Sequence, residues 1–212
     1  MRNFIINPIV ACFLLAFLVL TGCEAGRSET VNLDNHLPQK ETGAITIQAL
    51  PMENEEYAVL KAAGTGNAMI FDVNLGGTRA DRVHLWIDQY VNGVSKGSVL
   101  GTETSLDQSS DPSFRLYYTT LGLSDGVEAW TLAFRQKGNV VSSKAEIPEG
   151  EFDSVMTHSM QQATVNPNET AVLGVIVRNK GKDHVESSDD VDAMIRENQE
   201  VHVLRCTIMK DS

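Results

Sequence analysis

Between Arg82 and Leu100 the chain spells out a β-hairpin. Val83, Leu85, Ile87 and Val91 fall on one side of an extended strand, with His84, Trp86, Asp88 and Tyr90 on the other. That two-residue period belongs to a strand with one face buried. Asn92-Gly93 follows, the pair that best tolerates the positive φ angles of a two-residue hairpin turn, and Ser98–Thr102 returns. The same grammar recurs along the chain. Ala44–Leu50 alternates and is stopped by Pro51, and Asn67–Leu75 is closed by Gly76-Gly77. Phe114–Thr120 follows the loop Asp107–Ser113, and Val127–Lys137 follows Asp125-Gly126 with Trp130, Leu132 and Phe134 on one face. Val140–Ile147, Val155–Val165, Thr170–Arg178 and Val201–Met209 complete the set.

Roughly ten short strands, spaced about ten residues apart by Gly, Asn and Pro, predict an all-β fold. The preferred architecture is an antiparallel β-sandwich of immunoglobulin-like type, with a β-barrel or jelly roll as the alternative. No strand alternates with a long helix, which disfavours a parallel α/β sheet. Residues 53–63 are ambiguous and are assigned to strand because strands surround them, although their Ala and Glu content favours helix. A helical turn is expected at Val191–Arg196, where Asp189 and Asp190 suit a helix N-terminus.

The first residues follow a different logic. Arg2 precedes an apolar run from Ile9 to Leu20, twelve residues that fall short of the about 20 a spanning helix needs. The run ends in Leu20-Thr21-Gly22-Cys23. This resembles the signal peptide and lipobox of bacterial lipoproteins. The resemblance, confined to residues 1–23, implies cleavage between Gly22 and Cys23, thioether lipidation of Cys23, and acylation (palmitate among the acyl groups) of the new N-terminus. It places the protein on the extracytoplasmic face of a cell membrane, held in the lipid bilayer through Cys23. The expected organisation is a signal peptide over 1–22, a lipidated N-terminus and flexible tether over 23–42, and a single β-sandwich domain over 43–212. The tether is polar, carries Pro38 and His36, and has no apolar periodicity.

Processing at Cys23 leaves 190 residues with 16 Lys and Arg against 28 Asp and Glu, a net charge of −12 compared with −11 for the whole chain. Such a surface repels nucleic acid, so no nucleic-acid partner is expected. Cys12 departs with the signal peptide and Cys23 takes the lipid. Cys206 is then the one thiol left, which forbids an intramolecular disulfide. It shares a strand face with Leu204 and Ile208 and reads as a buried, inert thiol.

Motifs that suggest chemistry do not survive their context. Gly93-Val94-Ser95-Lys96-Gly97 matches the nucleophile-elbow pattern, but that motif needs a helix after the serine, and here a strand follows. His84 and Asp88 share a strand face about 13 Å apart, too far to bond directly. Asp189, Asp190, Asp192 and Glu197 lack the turn glycine and spacing of a calcium loop. His158, His184 and His202 have no zinc-ligand spacing. No catalytic residue, metal site or cofactor is therefore expected, and the chain reads as a non-enzyme.

The aromatic residues carry the remaining functional signal. Trp86 and Tyr90 alternate on one face, and Tyr117, with Arg115 at strand spacing, is placed on a neighbouring strand. Together they would form a stacking platform for a glycan or an envelope protein partner. The competing reading buries Trp86 and Tyr90 in the core. The expected role is a membrane-anchored lipoprotein whose β-sandwich binds a ligand or partner at the cell envelope. The alternatives are an envelope hydrolase with a dispersed active site, or an accessory subunit of a membrane complex.

Overall fold

The computed structural model describes residues 44–107 and 112–211. The expected signal peptide, Cys23 and the expected tether to residue 42 lie outside them. In chain order the elements are β1 (Ile45–Ala49), α1 (Glu55–Ala62), β2 (Ala68–Asn74), β3 (Arg82–Val91), β4 (Val94–Ser105), β5 (Ser113–Gly122) and β6 (Val127–Gln136). They continue with β7 (Asn139–Pro148), β8 (Ser154–Ser159), β9 (Gln162–Val165), β10 (Thr170–Asn179), α2 (Val191–Glu197) and β11 (Glu200–Met209). Among the described residues, no helix is long and apolar enough to cross a membrane.

The strands form two antiparallel sheets packed face to face. One has six strands in the order β7-β6-β5-β2-β1-β9, the other five in the order β4-β3-β11-β10-β8. The expected sandwich forms, and the sheets do not close into a barrel. They hold more strands than the seven or nine of an immunoglobulin domain.

Alternation builds the core. Val83, Leu85 and Ile87 of β3 face Met69, Phe71 and Val73 of β2 and Trp130, Leu132 and Phe134 of β6, all buried in one cluster. Trp130 and Tyr118 meet edge to face with ring centroids 5.5 Å apart, and Phe114 and Phe134 tilt at 5.0 Å. Both are favoured aromatic geometries. The β3–β4 turn is the expected one: Asn92 and Gly93 have φ of 51° and 77°. The β6–β7 turn falls on Lys137 and Gly138, with φ of 50° and 84°, one residue before the Gly138-Asn139 pair that the sequence suggests. The single strand expected over Val155–Val165 is two, because β8 pairs with β10 in one sheet and β9 with β1 in the other.

Residues 53–63, expected as strand, hold the helix α1 over Glu55–Ala62. Asn54 caps it by accepting a hydrogen bond from the Glu56 N–H at 3.0 Å. Glu55 and Glu56 sit in the first turn and Lys61 in the last, each complementing the helix dipole. Local capping and Ala content therefore outweigh the strand surroundings. Helix α2 forms as expected, capped by Asp190, which accepts from the Asp192 N–H at 2.9 Å. Its Met194 and Ile195 bury Val175, Val177, Val201 and Val203 on the outer face of the five-stranded sheet.

Candidate functional site

The outer face of the six-stranded sheet carries a charged hub fed by four elements. Register sets Arg115 of β5 directly opposite Arg135 of β6. Like charges at opposed cross-strand positions repel. Here one carboxylate holds both: Glu56 of α1 accepts from Arg115 Nη1 and, at 3.0 Å, from Arg135 Nη2 through the same oxygen. Its other oxygen accepts the Tyr117 hydroxyl at 3.0 Å. Arg115 Nε also donates to Asp72 on β2 at 2.6 Å, and the Arg135 guanidinium lies 5.6 Å from the centre of the Tyr117 ring. Burial raises the Glu56 carboxyl, but the Tyr117 hydroxyl, Arg135 and Arg115 outweigh it and hold the group below the ordinary glutamate range. Burial, and then Glu56, raise the Tyr117 phenol, which stays a donor.

Helix α1 reaches this face because β1 stops early. After Ala49 the chain leaves the sheet, and the Tyr57 hydroxyl accepts the Ile70 N–H at 3.1 Å. None of the helix residues is buried. An isolated helix of this length is not stable in water, so α1 depends on the few contacts it makes. Beside the hub, α1 and the strands leave a groove of about 400 Å³ lined by Val59, Leu60, Tyr117, Ala133, Arg135 and Val140 among others. Val59 is 67% and Val140 61% exposed, so apolar side chains stand open to solvent here. A volume of that size falls in the range of small-ligand sites, about 300–1,000 Å³.

The aromatic residues singled out in the sequence do not meet on one surface. Tyr117 lies on β5 of the six-stranded sheet, whereas Trp86 and Tyr90 lie on β3 of the other, flanked by β4 and β11. The expectation of neighbouring strands fails because β11, the last strand, inserts beside β3. Trp86 and Tyr90 are half-buried and sit on the face opposite the core. Trp86 stacks on His84 with centroids 4.5 Å apart, and its indole N–H donates to Asp88 at 3.0 Å. Arg205 pairs with Asp88 at 3.1 Å and donates to the Tyr90 hydroxyl at 3.4 Å. Tyr90 also packs on the cluster beneath α2. These side chains are tied to one another, so the face offers less free ring surface than a stacking platform needs. Ser95 of the elbow-like motif sits on β4 in a hairpin, with a strand on each side of the turn.

A third polar group lies between the sheets. Arg178 of β10 and Glu128 of β6 form an ion pair with side chains only 5% and 16% exposed. Trp130 donates its indole N–H to the same carboxylate at 2.9 Å, and the Arg178 guanidinium lies 5.0 Å from the centre of the Trp130 ring. His202 of β11 is fully buried with its ring edge-on to Trp130, centroids 4.7 Å apart. Burial and the charge of Arg178 push its imidazole down to about 3, so it is neutral. Cys206 is buried and burial pushes its thiol up to about 12, which agrees with the expected inert role.

Glu56 and Arg135 were not singled out in the sequence. The signal was there for the arginine: Arg115 and Arg135 lie ten residues before and ten after Asp125, so a turn centred on Asp125 pairs them.

What the fold and site define is a two-sheet antiparallel sandwich with one helix on the outer face of each sheet and an open groove under the first. The chain belongs to the YgaN domain family, whose model matches residues 46–208. No curated protein and no solved structure matches it.

Proposed function

We propose that the protein is a membrane-anchored, extracytoplasmic lipoprotein whose β-sandwich binds a ligand or partner at the cell envelope and carries out no catalysis. The binding face is the outer surface of the six-stranded sheet where α1 crosses β5 and β6. The observation that carries this reading is the groove beside Tyr117, where exposed Val59 and Val140 stand next to a cluster of polar donors. Apolar side chains left open beside a few convergent polar groups are the usual composition of a binding site. Leu20-Thr21-Gly22-Cys23 supports the anchor. The hydrolase reading is weakened by the placement of Ser95 on a β-hairpin strand, away from any helix N-terminus.

Two measurements test it. Mass spectrometry of the membrane fraction should find Cys23 at the new N-terminus with its acyl groups; an unmodified Cys23 in released protein refutes the anchor. A photo-crosslinking side chain at Val140 in intact cells should give a discrete adduct that the same group at Val94, on the β3–β4 hairpin, does not. No adduct at Val140, or the same adduct at both positions, refutes the binding face.

A further inference from the structure

We propose that Arg115, Arg135 and Tyr117 form a carboxylate-binding cradle, held shut by Glu56, whose ligand is an alkyl carboxylate with its chain in the adjoining groove. The inference rests on the reading of that groove as the binding face and names its ligand class.

Three donors from two adjacent strands converge on a single carboxylate. All three stand on β5 and β6, which are paired on both sides within the sheet and so keep their geometry. The carboxylate itself comes from α1, an element with no buried residue. Rigid donors and a loosely supported acceptor are the arrangement expected when the acceptor is exchangeable. Charge requires an anion there: Arg115 and Arg135 are opposed across the strands, and Asp72 satisfies only Arg115 Nε. When Glu56 turns to solvent, one positive charge is left without a partner until another carboxylate enters. A planar carboxylate matches the forked donors of two guanidinium groups.

The groove specifies the rest of the ligand. Glu56, Tyr117 and Arg135 are shared between hub and groove, so a head group in the cradle directs its body onto Val59, Leu60, Ala133 and Val140. Those side chains offer no hydrogen bonds. Thr119 and Thr131 add only two hydroxyls to the lining, too few to pair the amide groups of a peptide backbone lying there, whereas an alkyl chain has none to satisfy. Glu56 thus occupies the head position as an internal competitor, and ligand binding exchanges one carboxylate for another without changing the net charge of the hub.

The test follows methyl NMR signals of Val59, Ala133 and Val140 in the full chain carrying Cys23→Ser, titrated with decanoate, decanol and acetate. Decanoate should shift these signals saturably and at least tenfold more tightly than either decanol, which has the chain without the charge, or acetate, which has the charge without the chain. Glu56→Gln should tighten decanoate about tenfold. Arg135→Gln should make decanoate and decanol indistinguishable. If Glu56 serves only to fasten α1, Glu56→Gln leaves decanoate affinity unchanged or lower, and the proposal falls. It also falls if decanol binds as tightly as decanoate to the unmodified hub. A decanoate failure alongside a Val140-specific adduct overturns the cradle and leaves the binding face standing; failure of both removes both.

Discussion

Arg178 and Glu128 join the two sheets through the interior, a cation on β10 meeting a carboxylate on β6 under the ring of Trp130. Neither charge has enough solvent to stand alone. Glu128→Ala strands the guanidinium and removes the acceptor of the Trp130 indole, and should cost roughly 3–5 kcal/mol. The double variant Glu128→Leu, Arg178→Met replaces charge by apolar volume and should lose much less than the two single losses combined. Urea unfolding of Glu128→Leu, Arg178→Met and the double variant checks this; additive losses would show that the residues act independently.

His202 gives the fold a defined acid sensitivity. The imidazole is held at about 3 in the folded chain against an ordinary value of 6.5, so the unfolded chain binds the extra proton. Stability is then complete above pH 6.5 and falls as pH drops toward 3, by ~1.4 kcal/mol per unit. Roughly 2 kcal/mol should be lost between pH 6.5 and 5. The lowered Glu56 carboxyl acts in the same direction, but only below its ordinary 4.5. His202→Phe keeps a ring against Trp130 and should flatten urea midpoints between pH 7 and 5. An unchanged slope would show that His202 is not the group that titrates.

Gly174 lies at the irregular step in the β10–β11 register, beneath Met69. A Cβ there would stand 2.3 Å from Met69 Sδ and 2.9 Å from the His158 carbonyl oxygen. The thioether can move, but the carbonyl belongs to the paired strand β8. Gly174→Ala should cost about 1–3 kcal/mol through overpacking. Gly122→Ala, with nothing within 4 Å, should not destabilise. Thermal unfolding of both variants compares them directly.

The Cys206 thiol, buried and raised to about 12, should resist aromatic disulfide reagents in the folded chain and react fully in urea. Rapid labelling of folded protein carrying Cys12→Ser and Cys23→Ser would refute its burial.

Sequence pattern revealed what is local and periodic. The β3–β4 hairpin, its Asn92-Gly93 turn and the inward Val83, Leu85 and Ile87 follow from a period of two and one turn dipeptide. Helix α1 was missed because eight residues with no buried side chain carry almost no periodic signal, and its cap outweighs its neighbours. The separation of Tyr117 from Trp86 was hidden for another reason. It depends on β11 pairing with β3 and on β2 pairing with β5, and neither long-range choice leaves a mark on the strands themselves. The hub at Glu56 combines both difficulties, since it needs the helix and then the strand it crosses.

The first and last described strands are both interior: β1 lies between β2 and β9, and β11 between β3 and β10. A pull along either strand must shear two ladders at once, whereas an edge strand can be unzipped one bond at a time. Loading applied through residues ahead of β1 is therefore resisted by the hydrogen bonds of both ladders acting in parallel. The same arrangement denies a processive unfoldase an easy first strand from either direction.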